Sequence, residues 1–249
     1  MKTLFSGIYR VNNLNKINKE NLDNIIWINK TKKRILANRN KRFSLINSPA
    51  TLILNTLINK NKKINILDFG AGSLDLYYDI IKNHISLKVF KNNIINYNIV
   101  EVPKLFMMYQ TLKLKNKNIK ISFQTEINFK KKYDIINISD SLHYVNEPKK
   151  FINNLIKTNS KYIILNNTRL GNNPTYATIQ NFYDLKIPTW FFNEKQILKL
   201  FEKKYSTVYN IDYMNKFYEK YSKYPMGNFK KKFRIEHPKT VIFKNKNVF

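Results

Sequence analysis

The chain has 249 residues, with 45 Lys and Arg against 16 Asp and Glu, and no Cys. That length suits one domain, or one domain with a small extension, and an apolar share of 43% excludes a chain too polar to fold. The absence of Cys excludes a disulfide scaffold, a thiolate metal site and a Cys nucleophile.

The formal net charge is +29. Lys, Asn, Ile and Tyr are in excess along the whole length, which reads first as AT-rich coding and second as selection for a polyanionic partner. Arg, the residue suited to bidentate phosphate and base recognition, is scarce beside Lys. No run approaches the roughly 20 apolar residues of a transmembrane helix. Residues 1–10 lack the apolar stretch of a signal peptide, so a cytoplasmic protein is the expectation.

In chain order, residues 1–60 read as a basic, helical N-terminal extension, with apolar patches at 21–27 and 33–36. Ser48-Pro49 gives a helix start, Ser as N-cap and Pro at the first helical position. Leu52, Ile53, Thr56 and Leu57 follow at helical spacing, through Asn59. From Ile64 the rhythm changes. Strands are predicted at 64–69, 97–102, 119–123, 133–138 and 162–165, and helices at 74–83, 103–114, 147–157 and 193–203. The alternation predicts an α/β fold with a doubly wound, mostly parallel sheet over residues 61–249. Runs at 206–211 and 240–243, with no helix between them, predict an antiparallel C-terminal edge joined by an excursion over 213–238.

Three segments carry candidate chemistry. The first is Asp68-Phe69-Gly70-Ala71-Gly72-Ser73, a strand entering a glycine turn and then a helix. Gly70 and Gly72 let a ligand approach backbone N–H groups at the helix start. A dinucleotide turn would carry a third Gly where this chain has Asp75, whose carboxylate would repel a pyrophosphate. S-adenosylmethionine has no phosphate and is cationic at sulfur, so an acidic first turn favours it. The second segment ends in Glu101, placed 29 residues past Gly72 at the end of the next strand, where a carboxylate can accept hydrogen bonds from ribose hydroxyls. The third delivers Ser139, Asp140 and His143 from the carboxyl end of a buried strand, the edge at which open α/β sheets bind ligands. Ser139 is a candidate for the adenosine side, and His143 and Asp140 for catalysis. No His/Asp/Glu cluster has ligand spacing, so no metal is expected.

By these residues the chain resembles the class I S-adenosylmethionine-dependent methyltransferases. More narrowly, it is similar to a poorly characterised bacterial family found with surface-polysaccharide biosynthesis genes. The likeness runs through Tyr77-Tyr78, Val100-Glu101 with Pro103, Ser139 to Tyr144, Thr168, Ile179-Gln180 and Pro188-Thr189-Trp190-Phe191-Phe192-Asn193-Glu194. It implies a Rossmann-like fold and methyl transfer to a small-molecule or sugar acceptor, with O-methylation as the form suited to a glycan. The family pattern has Gln where His143 stands, more glycine where Ala71 and Leu74 stand, and Asp-Arg where Asn166-Asn167 stand. A non-catalytic relative that keeps the fold is therefore a rival reading.

Residues 166–192 form a long connection, the length of a functional lid, with Arg169, Tyr176, Gln180, Tyr183 and Trp190. Tyr176, Gln180 and Trp190 are the candidate substrate contacts. Residues 213–234 interleave Tyr and Phe with Lys and end in Lys230-Lys231-Lys232. That pattern can stack bases and neutralise phosphates, so an RNA methyltransferase is the other rival. The segment Ser139-Asp140-Ser141-Leu142 does not resemble the paired-Pro motif of base N-methylation, and nucleic acid is not the favoured partner.

Overall fold

The computed structural model describes residues 3–9, 22–40, 48–58, 61–82, 93–182, 184–213 and 224–247. Asn21, Asn59, Asn83, Tyr183 and residues 214–223 of the basic segment, all named above, lie outside them.

The larger sheet has seven strands: β2 (Lys63–Phe69), β3 (Ile94–Val100), β4 (Ile119–Gln124), β5 (Ile135–Ser139), β6 (Tyr162–Thr168), β10 (Tyr205–Asp212) and β11 (Lys239–Asn245). Their order is β10-β11-β6-β5-β2-β3-β4. Strand β2 is parallel to both β3 and β5, and β3 is parallel to β4. Strands β10 and β11 are antiparallel. The chain winds outward from β2 through β3 to β4 and then returns to β5, so strand order reverses beside β2. This is an α/β fold with a mostly parallel sheet, and the carboxyl end of β2 lies at its topological switch point.

A second sheet holds β1 (Phe5–Tyr9), β8 (Tyr176–Phe182), β9 (Leu185–Asn193) and β7 (Leu170–Gly171), in the order β1-β8-β9-β7. The helices are α1 (Ile25–Asn40), α2 (Pro49–Ile58), α3 (Asp75–Ile80), α4 (Pro103–Thr111), α5 (Pro148–Lys157) and α6 (Glu194–Phe201). Their starts follow local chemistry. Pro103 opens α4, where its missing N–H costs nothing. Asn193 caps α6 by accepting from the Gln196 N–H at 3.1 Å. Helix α3 passes into a wider, π-helical turn at residues 81–82.

By backbone contacts the chain divides into two compact units. One comprises Asp23–Ser139 and Lys157–Ile164. Its core includes Ile66, Leu67, Tyr97, Ile99, Ile135 and Ile136, drawn from β2, β3 and β5. The other comprises Met1–Leu22, Asp140–Ile156 and Leu165–Phe249. There Phe5, Tyr176, Phe191, Tyr224, Met226, Phe229 and Ile235 form one aromatic-rich cluster.

Two parts differ from the sequence reading. Residues 5–9 fall in the stretch read as helical but form β1, antiparallel to β8. Five residues that bury only Phe5 fully show no strand period, and their partner lies about 170 residues away in sequence. Residues 166–192, read as a long connection, are mostly the hairpin of β8 and β9. The first five residues of β8 are all buried, so the alternation that marks a strand is missing. Pro188 within β9 argues against a strand in sequence. The register explains its tolerance: β7 meets β9 only at Phe192 and Asn193, so β9 has no second described neighbour at Pro188.

Candidate functional site

The glycine turn is held by three side chains of its own unit, Glu101, Tyr109 and Asn38. Parallel register sets Phe69 beside Val100, so the residues leaving β2 and β3 emerge side by side. The Gly70 N–H donates to the Val100 carbonyl at 2.9 Å. Glu101 then reaches the turn, its Oε1 accepting from the Gly72 N–H at 2.7 Å and its Oε2 from the Val102 N–H at 3.0 Å. Tyr109 of α4 donates its hydroxyl to the Gly72 carbonyl. Asn38 of α1 donates to the Ser73 carbonyl at 3.3 Å and to Asp75. The Ser73 hydroxyl donates to the other Asp75 oxygen at 2.7 Å.

Both glycines need their freedom. Gly70 has φ of 68° and Gly72 of 50°, in the left-handed region. A Cβ on Gly72 would meet nothing nearer than the Gly70 carbonyl oxygen at 3.8 Å, so the space on the side-chain side of Gly72 is open. Leu74 also sits there, with φ of 58°, although its side chain is fully buried. It occupies one of the positions where the family pattern has glycine.

The two carboxylates differ in what they have left to offer. Asp68 is buried, with Oδ1 accepting from the Asn137 amide at 2.7 Å and Oδ2 from the Tyr97 hydroxyl. Those bonds tie β2 to its neighbours on either side. Desolvation pushes its carboxyl up to about 6. Glu101 is desolvated as well, and burial raises it to about 7 against the opposing pull of its two backbone N–H donors. Each of its oxygens accepts one backbone bond and retains lone-pair capacity. Ser139 ends β5 at intermediate exposure.

The remaining candidates lie in the other unit. Asp140, the residue after β5, has φ of 52°, and its N–H donates to the Asn166 carbonyl at 3.0 Å. Asn167 is also left-handed, at φ of 49°. Asn166 accepts from the Thr240 hydroxyl at 2.7 Å. His143 is fully buried, with Nε2 at 3.3 Å from Asp140 Oδ1 and no hydrogen bond to either ring nitrogen among the described residues. Burial, aided by the charge of Arg169, pushes its imidazole well below the usual range, so it is neutral at pH 7.

Around Arg169 the unit builds a dense polar knot. Its guanidinium donates to the Tyr224 hydroxyl at 2.9 Å, to Gln180 Oε1 at 2.9 Å, to the Tyr144 hydroxyl at 3.4 Å and to the Thr189 hydroxyl. It lies over the rings of Phe5 and Phe191 at 5.0 and 5.4 Å. Tyr144 donates to the same Gln180 oxygen at 2.8 Å. Of the substrate candidates, Gln180 joins this knot. Tyr176 stacks on Phe191 with centroids 5.2 Å apart and donates to the Phe233 carbonyl, inside the aromatic cluster. Trp190 stacks on Phe192 and donates to the Val145 carbonyl at 3.0 Å.

Sequence reasoning missed Tyr97, Tyr109, Asn38 and Asn137. Each lies inside a helix or strand whose residue types resemble its neighbours: strand pairing brings Tyr97 and Asn137 to Asp68, and helix packing brings Asn38 and Tyr109 to the turn. Among the described residues no group of three or more His, Asp or Glu could hold a metal ion, and no helix is long and apolar enough to cross a membrane.

The fold is that of Rossmann-like methyltransferases. The chain is similar to a candidate S-adenosylmethionine-dependent methyltransferase from Listeria monocytogenes, at 9% identity and a TM-score of 0.53 over 79% of this chain and 97% of that one. It is similar to a chain of the complex between the Haloferax volcanii Trm112 methyltransferase activator and its candidate methyltransferase, at 7% identity and a TM-score of 0.52 over 90% and 96%. It is also similar to the 1,6-didemethyltoxoflavin-N1-methyltransferase of Burkholderia thailandensis, at 11% identity and a TM-score of 0.50 over 90% and 88%. At such identities the likeness is one of fold. No protein-family model and no curated protein matches the sequence.

Proposed function

We propose that this protein is an enzyme that binds S-adenosylmethionine and transfers its methyl group to a small-molecule or sugar acceptor. O-methylation in surface-polysaccharide synthesis is the particular form that the sequence resemblance suggests. The observation that carries the reading is the Glu101–Gly72 bond at 2.7 Å at the switch point of the sheet. It puts a carboxylate with lone pairs to spare beside an open backbone turn, the pairing that a ribose diol and an amino-acid tail require.

When bound, the cofactor supplies a methyl group already activated on a sulfonium. Glu101 would accept from the ribose hydroxyls when ionised, and its two backbone bonds oppose the burial that raises its carboxyl to about 7. Gly70 and Gly72 give their N–H groups to Val100 and Glu101, and the missing side chain of Gly72 leaves room beside the backbone there. Asp68 acts one step back, joining β2 to its neighbours so that the turn leaves the sheet at a set angle. For the acceptor, Gln180, Trp190 and Tyr176 are the proposed contacts. His143, neutral and beside Asp140, is the proposed base for an acceptor hydroxyl, and in-line positioning supplies much of the remaining rate.

Calorimetry with S-adenosylhomocysteine and NAD side by side tests this. Binding of the first and not the second is expected. Binding of NAD alone would replace the reading with a dinucleotide enzyme.

A further inference from the structure

We propose that the Gln180 carboxamide is an acceptor-recognition group: it donates N–H bonds to an sp2 oxygen, carboxylate or carbonyl, of the bound ligand, and Arg169 and Tyr144 hold it in that orientation. The inference rests on the methyl-transfer reading only in taking that ligand to be the methyl acceptor.

The orientation of the amide follows from chemistry. A guanidinium can only donate, so the Gln180 atom 2.9 Å from the Arg169 nitrogen is the carbonyl oxygen. The Tyr144 hydroxyl, 2.8 Å from the same oxygen, donates too. Arg169 is itself fixed, through Nε to the Tyr224 hydroxyl and over the edge-to-face pair of Phe5 and Phe191. Gln180 therefore commits its acceptor atom inward, and its Nε2 faces the other way. That nitrogen makes no hydrogen bond among the described residues, and Gln180 as a whole is 6% exposed.

A carboxamide in this state has only donor chemistry to offer. Two donors on its oxygen polarise it and strengthen its N–H groups. The best partner is a strong acceptor that needs no acceptor in return, which describes a carboxylate or carbonyl oxygen. A hydroxyl placed there would find a donor but no lone pair of Gln180 for its own proton. Arg169 and Tyr144 are positioning residues here.

Gln180→Glu isolates the claim. It keeps the size and both accepted bonds, and against Arg169 the bond becomes charge-assisted, so the fold is retained. It removes the donor and adds a negative charge, so the neutral benzamide is the probe that isolates the donor. Side-chain amide NMR spectra of the full chain are titrated with benzoate and with benzamide, using benzyl alcohol as control. The Gln180 NH2 pair, identified by its loss in Gln180→Glu, is expected to shift with benzoate, benzamide or both, and not with the alcohol. Affinity for the probe that binds is expected to fall at least tenfold in Gln180→Glu. An unmoved pair, or equal affinity in the variant, overturns the inference. If the variant fails to fold, the pair assigned through the backbone of the unaltered protein decides alone. S-adenosylhomocysteine binding is measured on the same samples. Binding without an amide shift defeats this inference and spares the methyl-transfer reading, whereas an amide shift without such binding does the reverse.

Discussion

Glu101 shows how much a single side chain can carry. Its carboxyl titrates at about 7, pushed up by desolvation. A carboxyl that holds its proton more tightly folded than unfolded favours folding in acid, and its contribution is lost as pH rises from the unfolded value through about 7. Asp68, at about 6, acts in the same sense. The ligand-free protein should therefore lose stability between about pH 5 and 7, and Glu101→Gln should flatten the upper part of that profile in urea titrations. S-adenosylhomocysteine affinity should move the opposite way, tightening as pH rises through about 7, because the ribose hydroxyls need an ionised acceptor. Glu101→Ala should weaken binding by about 1–3 kcal/mol by calorimetry, and unchanged affinity would remove Glu101 from the site. Leu74 is a second residue-scale case. Replacing it with Gly relieves left-handed strain of about 1–2 kcal/mol but deletes a fully buried side chain, a loss of about 2–5 kcal/mol. A net loss is expected, read from the urea midpoint.

At this scale the 29-residue spacing from Gly72 to Glu101 placed two groups that the structure joins by one hydrogen bond. The spacing worked because a βαβ unit returns its second strand beside the first. What Glu101 touches besides Gly72 was not readable, and neither was the commitment of both Asp68 oxygens to Tyr97 and Asn137.

Among the elements, α2 is tied to α3 by one buried acid. Asp79 Oδ2 accepts from the Ser48 N–H at 2.9 Å and from the Thr51 hydroxyl at 3.0 Å. It meets the start of α2, where the first N–H groups lack intrahelical partners. Ser48 was legible as the N-cap, and its hydroxyl does accept from the Ala50 N–H at 3.3 Å. Asp79 was not, because it lies 31 residues further along. Asp79→Ala should destabilise the fold by about 1–3 kcal/mol, since it leaves the buried Ser48 N–H without an acceptor, while the Thr51 hydroxyl keeps the Ser48 carbonyl at 2.6 Å. The same contrast holds for strands. Parallel strands β2 and β5, buried on both sides, announce themselves as Ile-rich runs. Strands β8 and β9 do not, because Pro188 and unbroken burial erase the two-residue period.

For the whole molecule, the expectation concerns ligand and heat. S-adenosylhomocysteine at 100 times its dissociation constant should add about 2.7 kcal/mol of stability. For a chain of this length that is a rise of about 5–10 °C in melting temperature, and NAD at equal concentration should give none.

The sequence by itself determined the α/β class, the parallel strand–helix alternation from β2 onward and the glycine turn, since these depend on residue period and on backbone freedom within a few neighbours. Only the tertiary structure decided that residues 5–9 join β8, that Tyr109 and Asn38 brace the turn, and that Arg169 fixes the direction of the Gln180 amide. Those contacts join groups far apart in the chain, and no local pattern of side chains records which distant surface will bury them.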